Sequence, residues 1–446
     1  MSRLSGFPEF LPAERNAELI VLDHLRRVFE LHGFASIETR AVEPMDQLLR
    51  KGEIDKEVYV LRRLQAGEGD SDSGLGLHFD LTVPFARYVL ENAGKLEFPF
   101  RRYQIQKVWR GERPQEGRFR EFTQADIDIV AKDELPFHFD VEIAQVMAEA
   151  MSGLPVPALT LQINNRKILE GFYLGLGVTD PAAVMRIVDK LDKLPGDKVL
   201  ELLGTDGGLT GEQAAKCLAL AQINAPDSSF VQQVRDLGVE HELLDTGLAE
   251  LAEVIDSVSS SGSVTVVADL RIARGLDYYT GTVFETQMAG FEHLGSICSG
   301  GRYDQLASDG KNTYPGVGIS LGVSRLLVPL ITKSGLVADR SVPSTVLVAL
   351  VDEESRALST ETAQRLRARG IPTEVAASAQ KFGKQIRYAE RRGIPFVWFP
   401  PVGDAGHGVR DIRTADQVDA DPDTWNPPAE DLTPKILRTP SKEQLT

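Results

Sequence analysis

Cysteine is scarce: Cys217 and Cys298 are the only two among 446 residues, and neither sits in a CxxC pair or a Cys/His pattern. Folding without a metal is therefore expected. Long apolar runs are missing too. No stretch reaches the roughly 18 residues that span a bilayer, and the opening MSRLSGFPEFLPAER has no apolar core of a signal peptide. A cytosolic chain with no membrane segment is the expectation. Positive charge is in deficit, with 49 Lys and Arg against 65 Asp and Glu, for a net charge of −16. That argues against a general nucleic-acid coat but leaves a local one open.

What is present is an ordinary globular balance, 26% charged and 42% apolar, in a chain long enough for two or three domains. Two basic islands stand out on this acidic background. One holds Arg101, Arg102, Lys107, Arg110, Arg113, Arg118 and Arg120 against Glu112 and Glu116. The other holds Lys381, Lys384, Arg387, Arg391 and Arg392 against Glu390. They read either as places where anionic partners are met or as solvated faces.

Residues 14–32 carry helical spacing ended by Gly33, and FASIETRAVEP then reads as a strand running to Pro44. A Gly, Asp and Ser-rich loop covers 66–76. LHFDLTVPFARYVL starts extended, with Asp80 and Thr82 on one face if that part is a strand, before a helix near Pro84. Turn or cap chemistry is the other reading of those two residues. Residues 99–130 read as a long antiparallel hairpin with a basic, turn-rich loop. Arg110 closes its first strand, and Phe122, Gln124, Asp126 and Asp128 share a face of the second. Buried polar groups on such a face must be paired or meet a ligand. An ion pair between Arg110 and Asp128 is the plain structural alternative.

After a strand at 160–165, residues 166–261 read as an all-helical insertion. VTVVADL (264–270) and the segment RGLDYYTGTVFE (274–285) then read as neighbouring strands joined by a sharp turn. That turn would aim Arg274, Tyr278 and Tyr279 at one pocket, an arrangement suited to a small substrate bearing a carboxylate or phosphate. SGGRYDQL and PGVGISLGVSRLL place glycines where a flat ligand could lie against the backbone, and a helix follows with Arg325 on its first turn. Residues 331–344 look like a linker, and 345–425 follow a βαβαβ rhythm with helices closed by Gly370 and Gly393. The tail, 426–446, is expected to be poorly ordered.

Taken in order, the helix, strand and Pro44, the basic hairpin with Arg110, and the glycine-rich strand ending at Arg325 resemble motifs 1, 2 and 3 of class II aminoacyl-tRNA synthetases. RGLDYYTGTVFE and SGGRYDQL are similar to the two signature segments of the histidyl-tRNA synthetase family. DLTVPFARY, RPQEGRFREFTQADID and the C-terminal domain extend the resemblance from about residue 5 to about residue 420. The implied fold is α/β. A mainly antiparallel α+β catalytic domain would cover 1–330, carrying the helical insertion, and an anticodon-binding domain would follow the linker. The implied reaction joins histidine to ATP as histidyl-adenylate, with Mg²⁺ accompanying the nucleotide, and then to tRNA(His).

By the same resemblance, Arg110, Arg274 and Arg325 are catalytic. Arg110 would bind the α-phosphate and the histidine carboxylate, Arg274 would sit opposite it, and Arg325 would hold the γ-phosphate. Phe122 would stack on adenine, with Glu112 near its amino group. Asp80, Leu81, Thr82, Gln124 and Asp128 would hold histidine, while Tyr278 and Tyr279 read the imidazole. Arg113, Gln115 and Arg120 would face the tRNA acceptor stem. Motif 1 implies a homodimer. One departure is visible: Ser324 stands where the family usually has glutamate. Three alternatives are a histidine-binding regulatory relative that charges no tRNA, a synthetase of the same subclass for another amino acid, and a tRNA-sensing module without catalysis, which the three arginines argue against. The first usually lacks the C-terminal domain and the ATP-binding arginines; RGLDYYTG and SGGRYD argue against the second.

Overall fold

The structure, a computed structural model, describes residues 4–49, 57–64, 74–258, 260–272, 279–402 and 405–437. Arg274 and Tyr278, most of the loop 66–76 and the last nine residues lie outside them. The chain divides into two compact units, one of residues 1–8 and 24–329, the other of 9–23 and 330–446.

In chain order the elements up to the insertion are α1 (Pro12–Leu31), β1 (Ala35–Ser36), β2 (Val42–Pro44), α2 (Met45–Leu48), β3 (Leu75–Leu77), α3 (Thr82–Asn92), β4 (Phe100–Trp109), β5 (Glu121–Val130), α4 (His138–Ser152) and β6 (Leu159–Asn165). Helices α5 (Arg166–Gly175), α6 (Pro181–Val188), α7 (Gly196–Thr205) and α8 (Gly211–Ala221) follow, then β7 (Asn224–Ala225), α9 (Phe230–Arg235) and α10 (Glu242–Ser257). Local sequence explains their starts. Asp180 caps α6 with Pro181 in its first turn, and Thr210 and Gln213 form a reciprocal capping box on α8. The insertion is helical as expected, except that β7 pairs with the strand after it.

The unit is completed by β8 (Val264–Asp269), β9 (Tyr279–Met288), β10 (Cys298–Ser308), β11 (Thr313–Gly322) and α11 (Val323–Ser334). Nine strands form one sheet in the order β1-β4-β5-β11-β10-β9-β6-β8-β7, with only β1·β4 and β6·β8 parallel. Two expectations are corrected here. β8 and β9 are not neighbours, because β6 lies between them and pairs with both. The stretch from Phe34 to Pro44 is not one strand: β1 joins this sheet, whereas β2 pairs with β3.

Strand β5 decides where the site lies. Ala125, Ile127 and Ile129 are fully buried on one face, while Gln124, Asp126 and Asp128 are buried on the other. A solvent-facing strand would expose that polar set. Here it is covered. Helix α3 closes the far end, where Phe85, Val89, Val130, Tyr303 and Tyr314 cluster and the Arg102 guanidinium lies 4.3 Å from the Phe85 ring centroid.

The second unit contains β12 (Val337–Ala338), β13 (Val346–Val348), α12 (Arg356–Ala368), β14 (Thr373–Val375), α13 (Phe382–Arg392), β15 (Phe396–Phe399), β16 (Gly408–Asp411), β17 (Gln417–Asp419) and β18 (Ile436–Leu437). β14, β13 and β15 are parallel, and β16 and β17 extend the sheet antiparallel. Gly393 ends α13 in the left-handed conformation at φ 75°, as a helix-closing glycine should. The linker and tail expectations need correction. α11 runs to Ser334, and β12 pairs with β18. Trp425 lies edge-on to Trp398 and Phe396, while Asp431 accepts two hydrogen bonds from Arg413. The described part of the tail, 426–437, is therefore tied down by Asp431 and by β18.

Candidate active site

Three cross-strand rows build the polar face of the sheet. Register places Arg102, Asp128 and Gly318 in the first, Gln104, Asp126 and Ser320 in the second, and Gln106, Gln124 and Gly322 in the third. Arg102, fully buried, meets Asp128 at 2.6 Å, and the Tyr303 hydroxyl donates to the same carboxylate at 2.7 Å. Gln124 donates to Ser320 Oγ at 2.8 Å, and Ser320 in turn donates to Asp126 at 2.5 Å. Gln104 donates to Thr39 and Gln106 behind them. Glycine is required in the first row: a Cβ on Gly318 would fall 2.1 Å from an Asp128 carboxylate oxygen. Gly318→Ala should therefore displace Asp128 from its ion pair with Arg102 and cost about 1–3 kcal/mol of stability, the range for overpacking a filled interior. Urea unfolding checks this.

Two adjoining hollows open on this face, and both are lined by Ser299 and Ser320. The smaller, about 240 Å³, is walled by Thr82, Asp126, Asp128, Tyr279 and Tyr303. The larger, about 540 Å³, is walled by Arg110, Glu112, Arg118, Phe122, Gln124 and Arg325. Their chemistry differs: the first is acidic and aromatic, the second cationic.

In the larger hollow, Arg325 donates from Nε to the Gly117 carbonyl at 2.8 Å and from Nη1 to the Ser296 carbonyl at 2.7 Å. Burial, then the nearby Arg110 and Arg118, hold its guanidinium below its ordinary pKa, while Glu112 and Glu285 oppose them. Arg110 donates to the Phe79 carbonyl at 3.0 Å and lies 5.2 Å from the Phe122 ring centroid. Glu112 faces Arg118 at 3.3 Å and Arg110 at 3.8 Å. Positive charge is crowded here, which is the condition of an anion site.

The other expected residues are placed as follows. Asp80 and Thr82 do not share a strand face. Asp80 accepts from the Val83 N–H at 3.1 Å at the start of α3, and Thr82 is the first residue of that helix. Leu81 is fully buried, so only its backbone could meet a ligand. Arg113 and Gln115 are exposed in the hairpin loop, and Arg120 is half-buried with its Nε on the Glu112 carbonyl. Asp128 pairs with Arg102 and not with Arg110, because strand register sets Arg102 opposite it. The first basic island divides accordingly: Arg101 faces Glu142, Lys107 faces Glu121, and Arg102 is interior. Arg274 and Tyr278 lie outside the described residues.

Against known families, residues 6–326 match the model described as histidyl-tRNA synthetase, and residues 345–399 match the one described as anticodon binding domain. This chain belongs to the histidyl-tRNA synthetase family. The histidine–tRNA ligase of Cutibacterium acnes is 60% identical over 447 residues, covering 98% of both chains. That of Micrococcus luteus is 58% identical over 449 residues, with the same coverage. The crystal structure of histidyl-tRNA synthetase from a Nostoc species superposes with a TM-score of 0.83 at 34% identity, over 94% of this chain and 96% of that one.

Within the histidyl-tRNA synthetase family, Ser324 is the departure noted above, and it has a structural occupation here. Its buried hydroxyl accepts from the Thr123 N–H at 2.9 Å, just where β11 stops pairing with β5. It therefore ties the strand carrying Phe122 to the helix carrying Arg325. Reading the sequence for this family's motifs missed Arg102, Ser299 and Ser320. Arg102 lies in the basic island beside Arg101 and Lys107, on a strand that alternates polar and apolar residues, and only the register reveals its partner.

Proposed function

We infer that this chain is a histidine–tRNA ligase, an aminoacyl-tRNA synthetase that activates L-histidine with ATP and charges tRNA(His). The observation that carries the reading is the adjacency of the acidic, aromatic recess to the cationic cleft, with Ser299 and Ser320 on their shared border. An amino acid in the first would point its carboxylate toward a nucleotide in the second. A histidine carboxylate oxygen then bonds to the α-phosphorus, the bond to the β-phosphate breaks, and pyrophosphate leaves. In the second step a 3′-terminal ribose hydroxyl takes the histidyl group and AMP leaves.

Arg110 and Arg325 stabilise charge that gathers on phosphate oxygens, and no protein nucleophile is needed. Arg110 takes the α-phosphate and Arg325 the terminal one, with Arg274 opposite Arg110. Phe122 offers its ring to adenine and Glu112 a carboxylate to the adenine amino group. Asp80, Thr82, Gln124 and Asp128 receive the amino group and ring of histidine, with the Leu81 backbone, Tyr278 and Tyr279 completing the pocket. Hydrogen-bonding readout of this kind rejects an analogue lacking the ring nitrogens by roughly 10⁴-fold. Mg²⁺ arrives as the ATP complex and offsets the β- and γ-phosphate charge.

For tRNA, Arg113, Gln115 and Arg120 are presented to the acceptor end. In the second unit an open groove of about 1020 Å³ is bordered by Lys384, Arg387, Tyr388, Glu390 and Arg391, three cations against one carboxylate and a ring, suited to backbone phosphates and an unstacked base. Among the described residues no helix is long and apolar enough to cross a membrane. We propose a cytoplasmic location, where tRNA is charged. We also propose a homodimer built on the motif 1 region; light scattering at micromolar concentration should give twice the chain mass, and a single-chain mass contradicts it. ATP–pyrophosphate exchange with each of the twenty amino acids tests the activation step: exchange with histidine alone supports the reading, and exchange with another amino acid overturns it.

A further inference from the structure

The recess holds one more carboxyl than its described cation answers. Asp128 has Arg102 at 2.6 Å and the Tyr303 hydroxyl at 2.7 Å. Asp126, two residues earlier on the same face and only 2% exposed, has neither. One of its oxygens accepts from Ser320 at 2.5 Å. The other has the Arg102 guanidinium at 3.9 Å, beyond hydrogen-bond reach. Among the described residues two acids therefore share one guanidinium, and both are nearly excluded from water.

We propose that Asp126 is the proton-linked acid of the amino-acid recess, carrying a proton while the recess is empty and releasing it when the ammonium group of histidine enters. The proposal rests on the ligase reading and deepens it, because it states how the recess answers the charge of its substrate. Only one bond changes: the Asp126 carboxyl gives its proton to solvent, and the carboxylate then faces a cation.

The groups around Asp126 bear on this from every side. On β4, Arg102 is the cation, and Gln104, directly opposite, spends its amide on Thr39 and Gln106. On β11, Ser320 donates its hydroxyl. On its own strand, Asp128 adds negative charge, and Asp80 adds more from the start of α3. On β10, Tyr303 is directed to Asp128, and the buried Cys298 thiol is pushed up by desolvation and so stays neutral. Burial, opposed by Arg102 and reinforced by Asp128, raises the Asp126 carboxyl to about 7. An arriving ammonium opposes that rise, since an opposite charge favours the ionised form. The proton and the substrate therefore compete, and histidine should bind more tightly as pH rises through 7.

Calorimetry of L-histidine binding to the full-length protein, in two buffers of different ionisation enthalpy between about pH 6 and 8, counts the protons released. Between about pH 6 and 8 the wild type should release more protons than Asp126→Asn, in which that carboxyl contributes none. Ser320→Ala removes a hydrogen bond that favours the carboxylate, so its release maximum should move to higher pH. Equal proton counts in wild type and Asp126→Asn overturn the proposal. So does an affinity loss of the same factor at every pH, which marks a purely structural residue. If Asp126→Asn does not fold, an unshifted Ser320→Ala profile overturns it instead. Failure of the wild type to bind histidine contradicts the ligase reading, and this proposal with it.

Discussion

Arg325→Ala should slow histidine-dependent ATP–pyrophosphate exchange by about 10²- to 10³-fold, the loss expected when one charge-stabilising donor is removed from a preorganised site. The reason lies in how the side chain is held. Two of its nitrogens are fixed on the Gly117 and Ser296 carbonyls, so the guanidinium does not reorganise when phosphate arrives. Removing it also releases the turn at Gly117 that leads into the Arg118–Phe122 segment. The loss should therefore appear in both kcat and the KM for ATP, while histidine binding alone, measured by calorimetry, stays near wild type. Arg325→Lys should not restore the rate, because an ammonium cannot make the forked contact to two carbonyls and a phosphate. Wild-type exchange in Arg325→Ala would remove this residue from the catalytic account.

The second large effect concerns stability. Arg102→Ala should cost about 3–5 kcal/mol, the range for leaving a buried charge without its partner. Asp128 would lose its ion pair at 2.6 Å, and the Phe85 ring would lose the guanidinium stacked 4.3 Å away. The double replacement Arg102→Met with Asp128→Asn should recover part of the loss, since the Asp128 charge goes with its partner, while Asp126 is left without its guanidinium and takes a proton. Urea unfolding of the three proteins checks this, and an unchanged midpoint for Arg102→Ala contradicts it. Histidine binding should be lost in both variants, which separates stability from recognition.

These two arginines also show how far the sequence could be read. Arg325 was legible because it follows a glycine-rich strand at a fixed place in a motif, and the structure brings it to the same cleft as Arg110, Glu112 and Phe122. Asp128 was legible as a buried acid from the period-2 pattern of its strand. Its partner was not, because the pattern shows which residues share a face and never which residue lies opposite. That requires the register, which selects Arg102 over Arg110. The misplacement of 264–269 beside 279–288 has the same origin: both read as strands, and only long-range pairing inserts β6 between them. Asp80 and Thr82 turned on local backbone. The segment leaves its short strand at Leu77, and an aspartate three residues before Val83 caps a helix, so a shared strand face never forms. Composition misled most in the described part of the tail, 426–437, where Pro and Asp suggested disorder but Asp431 and β18 find specific partners.

Charging of total tRNA with each of the twenty labelled amino acids, followed by identification of the acceptor, tests the central claim most directly. Histidine alone should become attached, to tRNA(His) alone, and Arg325→Ala should slow that charging by about 10²- to 10³-fold. Histidine binding or exchange with no transfer to tRNA, or transfer of a different amino acid, would contradict it.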